Sequence, residues 1–171
     1  MGGTGRMSRM VIMDSSTRSR IACDAHIVLV ADDRVLLARR AVGRGFGAGR
    51  LNLPAGHHEP GESIDATARR EAWEELGIVV PPGGTELVHV MHHHEREERM
   101  SFFFRLLEWE GKVQNRELHT CSGLEWHDLE RLPDDLMEYA RQAIESMQEG
   151  SAFSSLRHRS RHGEKEGAPR T

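Results

Sequence analysis

Residues 56–78 constrain the fold more than any other part of the 171-residue chain, because they encode an amphipathic helix together with both of its ends. The Pro60–Gly61 pair predicts a turn, Ser63 is a favourable N-cap, and Gly77 is a residue that ends helices. Apolar side chains recur every four residues at Ile64, Ala68, Ala72 and Leu76. This spacing predicts a helix over residues 63–76 whose apolar stripe packs on the rest of the protein.

The same stretch is acidic, with six carboxylates among its 23 residues. On a helical wheel, Glu71, Glu74 and Glu75 fall within an arc of about 100° at the border of the apolar stripe. The helix contains no lysine, and its arginines, Arg69 and Arg70, cannot neutralise three carboxylates. A hard divalent cation with oxygen ligands, Mg²⁺ or Mn²⁺, would best supply the missing positive charge. A solvated acidic surface helix is the alternative.

Predicted strands and helices alternate along the chain. Apolar runs predict strands at residues 25–30, 35–39, 86–94 and 100–109, a short strand ending in a turn at 51–56, and a strand followed by a turn at 124–133. The first two are expected to form a hairpin, and Asp134 or Asp135 is predicted to begin a last helix that ends at Gly150. This order predicts an α/β sandwich with a mixed β-sheet.

The two ends of the chain differ from its middle in composition. Residues 1–20 and 151–171 are rich in Ser, Gly, Arg and His, are net basic, and lack apolar periodicity. We therefore predict a flexible N-terminal tail, a domain over residues 21–150, and a flexible basic C-terminal tail. The middle is acidic, which disfavours nucleic acid as a specific partner.

Several features of the sequence bear on the cellular compartment in which the protein is expected. The two cysteines, Cys23 and Cys121, lie far apart, and no apolar run reaches membrane-spanning length. The N-terminus lacks the apolar stretch of a signal peptide. We therefore expect a cytoplasmic protein that does not bind membranes, and leave its oligomeric state open between monomer and homodimer.

The acidic stretch resembles the Nudix box, G-x5-E-x7-R-E-U-x-E-E-x-G-U, in which U is an apolar residue. Its fixed positions are matched by Gly56, Glu62, Arg70, Glu71, Glu74, Glu75 and Gly77, and its apolar positions by Ala72 and Ile78. The resemblance extends into both flanks, so that residues 24–147 are similar to one Nudix domain. It implies a Nudix-type α/β/α sandwich with a mixed β-sheet.

The resemblance also implies roles for the residues of the box. Glu71, Glu74 and Glu75 would be catalytic metal ligands, and the backbone carbonyl of Ala55 would be another ligand. The other two charged residues of the motif would assist them: Arg70 by orienting a helix glutamate, and Glu62 by supporting the metals from the loop end.

Relatives often recruit a further acid from a loop after the box, and Glu117 is the best match here. Some relatives read N-x-E-P-x-K-C at this point, and Asn115 and Cys121 fit that pattern, whereas Leu118 and Thr120 depart from it. An exposed loop acid is the alternative for Glu117.

The implied reaction is hydrolysis of a phosphoanhydride that links a nucleoside diphosphate to another group. The chain lacks the proline, tyrosine and SQPWPFPxS markers of relatives that act on ADP-ribose, dinucleoside polyphosphates and NADH. A MutT-like nucleoside triphosphate pyrophosphohydrolase, releasing pyrophosphate and a nucleoside monophosphate, is therefore favoured. Hydrolysis of ADP-ribose, a nucleotide sugar or a pathway-specific nucleotide stays open, as does a nucleotide-sensing module without turnover, although the intact box argues against the latter.

Four residues near the box are candidate substrate contacts. Phe46, within the glycine-rich loop 43–50, could stack on a base or pack on the body of the protein. Arg39, Arg40 and Arg50 could bind phosphates or be ordinary surface arginines. Among the later aromatic and histidine runs, one ring of Phe102–Phe104 could face the substrate, and His92–His94 are interpreted as a solvated strand end.

Overall fold

A computed structural model describes residues 21–43, 45–94 and 97–157 of the chain. Its strands are β1 Ala22–Val28, β2 Val30–Ala31, β3 Arg34–Arg40, β4 Leu51–Asn52, β5 Ala55–His57, β6 Thr85–His94, β7 Glu98–Leu106, β8 Cys121–Asp128 and β9 Phe153–Arg157. Its helices are α1 Ile64–Leu76 and α2 Glu138–Gln148. The predicted tail at residues 1–20 and the end of the other tail, residues 158–171, lie outside the described residues.

The strands form two sheets. The larger has the order β5-β1-β7-β6-β9 and is mixed, because β1 pairs with β7 in parallel and with β5 antiparallel. The smaller is antiparallel and joins β2, β3 and β4, with β8 on the other edge of β3. The predicted hairpin is present, with the Leu36 N–H donating to the Leu29 carbonyl at 3.0 Å, but its first strand is shared between the sheets as β1 and β2.

The core lies on both faces of the larger sheet. Ile27 of β1 packs with Ala72 and Leu76 of α1, whereas the next residue, Val28, packs with Ala140 of α2. Neighbouring side chains of a strand point to opposite faces, so the sheet lies between the two helices. The predicted α/β/α sandwich with a mixed sheet is confirmed.

Helix α1 forms where its sequence pattern predicts it. Ala68, Ala72 and Leu76 of the apolar stripe are fully buried. Gly77 ends the helix in the left-handed region, at φ 70°, and its N–H donates to the carbonyls of the last turn. This geometry requires a residue that tolerates positive φ, which explains the glycine.

The start of α2 differs from the prediction. The helix begins at Glu138, after Met137, and not at Asp134 or Asp135. The preceding segment runs alongside β4 instead, because the Leu51 N–H donates to the Asp135 carbonyl and the Met137 N–H to the Leu51 carbonyl. Tertiary hydrogen bonds have thus taken the place of the predicted first turn.

Regular structure continues beyond the predicted domain boundary at residue 150. Residues 153–157 form β9, which pairs in parallel with β6 at the edge of the larger sheet. The buried ring of His89 also bonds to this segment, through the Ser151 carbonyl and the Ser154 hydroxyl, each at 2.8 Å. The larger sheet therefore includes residues up to 157, within the predicted C-terminal tail.

Candidate active site

A cavity of about 520 Å³ opens beside α1 and is lined by Glu71, Glu74, Glu75 and Glu117. We call it the carboxylate cavity. Its opposite wall contains Ala55 and Gly56, from β5, and Arg40, from the end of β3. The structure therefore brings the three box glutamates together with Glu117 and with the backbone of Ala55, as the resemblance implies.

Gly56 lets Glu71 reach this wall. A Cβ atom on Gly56 would lie 1.7 Å from the Glu71 Oε1 atom, which is far inside van der Waals contact. The Glu71 side chain occupies the space that any other residue would fill, and it is buried there. The first glycine of the box is thus required by the approach of the carboxylate to the strand.

Arg70 holds three of the acidic side chains. Its Nη1 atom donates to Glu71 at 2.6 Å and to Glu74 at 3.0 Å, and its Nη2 atom donates to Glu62 at 3.0 Å and to the His57 carbonyl at 3.0 Å. The hydrogen bonds from Arg70 lower the pKa of Glu62 to about 2. In this geometry Glu62 is a fixed anchor for Arg70, which ties α1 to β5.

Glu75 has the most strongly raised pKa among the carboxylates of the cavity. Its Oε2 atom accepts the Ala55 N–H at 3.0 Å. Burial, together with the charges of Glu71 and Glu117, raises its pKa to about 8. Burial also raises the pKa of Glu71, although Arg70 partly offsets the effect. The cavity therefore brings together more carboxyl groups than its arginines neutralise, and Glu75 is mostly protonated at pH 7 when no cation is bound.

The donor set of this cavity fits a hard divalent cation. Carboxylate and carbonyl oxygens are the ligands that Mg²⁺ and Mn²⁺ prefer, and a cation would relieve the repulsion that raises the pKa of Glu75. Within the described ranges, no three acidic, histidine or cysteine side chains already form a metal cluster. Glu71 and Glu74 are instead turned towards Arg70.

A second cavity of about 500 Å³ adjoins the first, and we call it the inner cavity. The two share a wall made of Arg40, Asn52, Ala55, Gly56 and His57. The inner cavity is further lined by Phe46, Tyr139 and the rings of His26 and His93. Asn52, His26 and His93 are all buried.

The histidines of the inner cavity are part of an aromatic stack. His26 lies on Phe103, with 4.7 Å between ring centroids, and His93 lies on Tyr139 at 5.3 Å. Burial lowers the pKa of His26 to about 4, and it also lowers the pKa of His93, so both rings are neutral at pH 7. The sequence interpretation of His92–His94 as a solvated strand end is wrong for His93, which points inward because strand residues alternate.

Asp24, Arg99 and His57 form another wall of the inner cavity. The buried Asp24 carboxylate accepts hydrogen bonds from Arg99 at 2.6 and 2.8 Å and contacts the His57 Nδ1 atom. Burial alone would raise the pKa of Asp24, but the bonds from Arg99 and His57 outweigh it and lower the pKa. Sequence reasoning missed the group formed by Asp24, Arg99 and His57. The period of two along β1 could have placed Asp24 on the face opposite to Ala25.

The predicted substrate contacts separate into two pairs. Arg40 and Phe46 line the inner cavity, and Arg40 also faces the carboxylate cavity. Arg39 reaches the wall of the carboxylate cavity, but its guanidinium is held by Glu125 and Asp135, each at 2.6 Å. The Arg50 guanidinium donates to the carbonyls of residues 135 and 136. Arg39 and Arg50 therefore brace the fold in this structure.

Of the three rings at residues 102–104, the structure places Phe103 and Phe104 in the core. Phe103 reaches the inner cavity only indirectly, as the surface on which His26 stacks.

No helix in the described part of the chain is long and apolar enough to cross a membrane.

Comparisons with known proteins agree with this geometry. A family model described as the NUDIX domain matches residues 22–147. A curated relative, the oxidized purine nucleoside triphosphate hydrolase of Danio rerio, is 31% identical over 120 residues, which cover 63% of this chain and 66% of the relative, just under two thirds of its length.

Solved structures extend the comparison to the fold. The MutT NUDIX hydrolase of Burkholderia pseudomallei matches with a TM-score of 0.67 and 27% identity, over 74% of this chain and 98% of that one. A mutator MutT protein from Bacillus halodurans matches with a TM-score of 0.65 and 24% identity, over 81% and 90% of the two chains. With the domain match, the shared fold and the three box glutamates of α1 lining the carboxylate cavity, the chain belongs to the NUDIX domain family.

Proposed function

We propose that the protein is a divalent-metal-dependent hydrolase of phosphoanhydrides that contain a nucleoside diphosphate group. The observation that carries this proposal is the carboxylate cavity, in which four glutamates converge on the wall formed by Ala55 and Gly56. Family membership supports the reaction class, and the intact set of glutamates supports turnover over a purely sensing role.

Glu71, Glu74, Glu75 and the Ala55 carbonyl would hold Mg²⁺ or Mn²⁺, with Glu117 as a further ligand. Bound ions would neutralise charge on the phosphate oxygens and promote attack by water. Arg70 would keep the helix glutamates oriented, because it already bonds to Glu71 and Glu74. A carboxylate of this group would accept the proton of the attacking water.

Arg40 is the best candidate for a phosphate contact. It lies on the wall between the two cavities, and its Nε atom is buried without a hydrogen-bond partner in the described part of the chain. An arginine in this state gains from an anionic ligand, since it can donate to phosphate oxygens in a planar fork. Its position would join the phosphate chain to whatever fills the inner cavity.

The inner cavity would bind the nucleoside. Phe46 and Tyr139 offer aromatic surface for a base, and Asn52 and His26 offer polar atoms for its edge. A base stacked on an aromatic side chain is stabilised by about 1–3 kcal/mol. Buried polar groups beside an apolar surface are typical of sites that fix the orientation of a ligand.

A nucleoside triphosphate is the favoured substrate, with pyrophosphate and a nucleoside monophosphate as products. The relative from Danio rerio, whose name specifies oxidized purine nucleoside triphosphates, supports this preference. We therefore include oxidised purine triphosphates in the substrate panel, together with ADP-ribose and a nucleotide sugar. A cytoplasmic location and a monomer or homodimer remain predictions from the sequence.

The metal-dependent reaction is tested with this panel and Mg²⁺, measuring pyrophosphate against phosphate release. We expect Glu74→Gln and Glu75→Gln to lose turnover while the far-UV circular dichroism is retained, and EDTA to abolish activity of the wild type. Undiminished hydrolysis in EDTA would contradict the metal role. A higher kcat/KM for ADP-ribose or a nucleotide sugar would overturn only the triphosphate assignment.

Arg40 and Arg39 are neighbours in sequence and form a matched pair for the phosphate contact. We expect Arg40→Gln to lower kcat/KM by about tenfold or more, the loss of a charge-assisted hydrogen bond. Arg39→Gln should mainly lower the unfolding temperature, because it breaks the ion pairs with Glu125 and Asp135. Equal kinetic losses in the two variants would argue against a specific role for Arg40.

A further inference from the structure

The segment that carries Glu117 is held against the end of α1 without regular structure of its own. Residues 112–120 form neither helix nor strand. The Gln114 N–H nevertheless donates to the Leu76 carbonyl, and the Arg116 N–H donates to the Glu75 carbonyl, each at 3.0 Å. These carbonyls belong to the last turn of α1, whose acceptors lack partners within the helix.

Arg116 adds two side-chain contacts to the same turn. Its Nη1 atom donates to the Trp73 carbonyl at 3.2 Å, and its guanidinium carbon lies 4.3 Å from the centroid of the Trp73 ring. Helix α1 has no basic residue in its last turn, so Arg116 supplies the cation that a helix C-terminus favours. The pair also explains why Trp73, a large apolar residue, remains half exposed on the outer face of the helix.

The next residue is fixed from its other side. The Glu117 N–H donates to the Asn115 Oδ1 atom at 3.0 Å, and the Asn115 amide donates to the Cys121 carbonyl at 2.8 Å. The Glu117 backbone therefore lies between an anchor on β8 and an anchor on α1. Its side chain lines the carboxylate cavity, whereas neither Trp73 nor Arg116 does so in the part of the chain that the structure describes.

We propose that Trp73 and Arg116 form a clamp that positions Glu117 beside the box glutamates. Both are positioning residues, since they act through Glu117 and contact neither substrate nor metal. The clamp fixes the loop that carries Glu117 to α1, the helix that carries the box glutamates. The distances between the Glu117 carboxylate and the three helix carboxylates are thereby kept constant. This proposal rests on the proposed metal-dependent function.

The test uses the full chain and two readouts. Arg116→Ala and Trp73→Ala should raise the Mg²⁺ concentration for half-maximal activity by about tenfold, the usual size of effect for groups that orient metal ligands. Mn²⁺ binding, followed by electron paramagnetic resonance without substrate, should weaken by a similar factor. Trp73→Phe should restore most of the affinity, and Arg116→Lys only part, because lysine lacks the planar guanidinium. Arg105→Ala, an exposed arginine on β7, is the control and should change neither readout.

A double-mutant cycle identifies the residue through which the clamp acts. In a Glu117→Gln background, adding Arg116→Ala should leave Mn²⁺ affinity unchanged. A full additional loss would place the effect of Arg116 on the helix end instead and overturn the proposal. If the wild type binds Mn²⁺ and Glu117→Gln weakens binding while Arg116→Ala does not, the clamp fails and the proposed function stands. If the wild type binds no Mn²⁺, both fail.

Discussion

Gly56 shows how one missing side chain decides the shape of the site. The Glu71 carboxylate lies where a Cβ atom of residue 56 would be, so the two cannot coexist without movement of β5 or α1. The glycine is therefore required by a long-range approach, and its own backbone conformation is not the reason. The same reasoning does not apply to Gly123 on β8, where a Cβ atom would have no neighbour within 4 Å.

Gly56→Ala should displace Glu71 and thereby disrupt the carboxylate cavity. We expect a loss of stability of about 1–3 kcal/mol, typical of overpacking, together with a larger loss of kcat than the stability change explains. Chemical denaturation and steady-state kinetics measure the two effects. Gly123→Ala is the matched control and should leave turnover intact. If Gly56→Ala kept wild-type turnover and metal affinity, the close approach of Glu71 to residue 56 would not be needed for activity.

At the scale of the element, the edge strand β9 contributes contacts that its short sequence does not reveal. Its sequence, FSSLR, is short; the strand pairs with β6 through its backbone and adds one apolar side chain, Leu156, to the core. Residues 151–157, which include β9, also supply the Ser151 carbonyl and the Ser154 hydroxyl that bond to the buried His89 ring. Removing them would leave that ring unpaired inside the protein.

A chain ending at Gly150 should therefore be less stable than one ending at Arg157. Each buried polar group left without a partner costs about 1–3 kcal/mol, and the exposed edge of β6 adds to this loss. Urea denaturation of the two truncated proteins measures the difference. Ser154→Ala in the full chain removes only one of the two partners and should show a smaller effect. Equal midpoints for both truncations would mean that β9 contributes nothing to stability.

The contrast between α1 and β9 explains how far the sequence could predict this protein. The limits and face of α1 follow from local signals: a turn, an apolar repeat of four and a terminal glycine. The same local order placed Glu71, Glu74 and Glu75 together. The start of α2 and the strand β9 depend on hydrogen bonds to distant strands, which no local pattern records. His93 and Asp24 were missed for a related reason, because the partners that bury them come from other parts of the chain.

At the scale of the whole molecule, the inner cavity makes stability sensitive to acid. Burial lowers the pKa of His26 to about 4, whereas the unfolded chain has the ordinary value near 6.5. The unfolded state therefore binds more protons between these values, and stability that is complete above pH 6.5 is lost as the pH falls towards 4. The charged groups that act on His26 are Asp24, His93, Arg99 and His57, and the pKa of His93 is lowered in the same direction.

His26→Gln should reduce this loss by up to about 1.4 kcal/mol per pH unit between pH 6 and pH 4.5, the contribution of one proton. Urea denaturation of both proteins across this range provides the comparison. His94→Gln, which removes an exposed imidazole from the end of β6, serves as the control. An unchanged dependence on pH in His26→Gln would show that His26 is protonated equally in the folded and unfolded states.

Arg70 stabilises the packing of α1 in the metal-free protein. Arg70, whose guanidinium is shared among Glu62, Glu71 and Glu74, is an internal counter-ion, and its bond to the His57 carbonyl keeps α1 docked on β5. An incoming cation would compete with this arginine for the same oxygens, and it would not have to fold the protein as structural ions do. Metal affinity would be lowered by that competition, and exchange of the ion would leave the scaffold unchanged. Arg70 would keep its bonds to Glu62 and to the His57 carbonyl when an ion takes Glu71 and Glu74, so α1 would stay docked on β5.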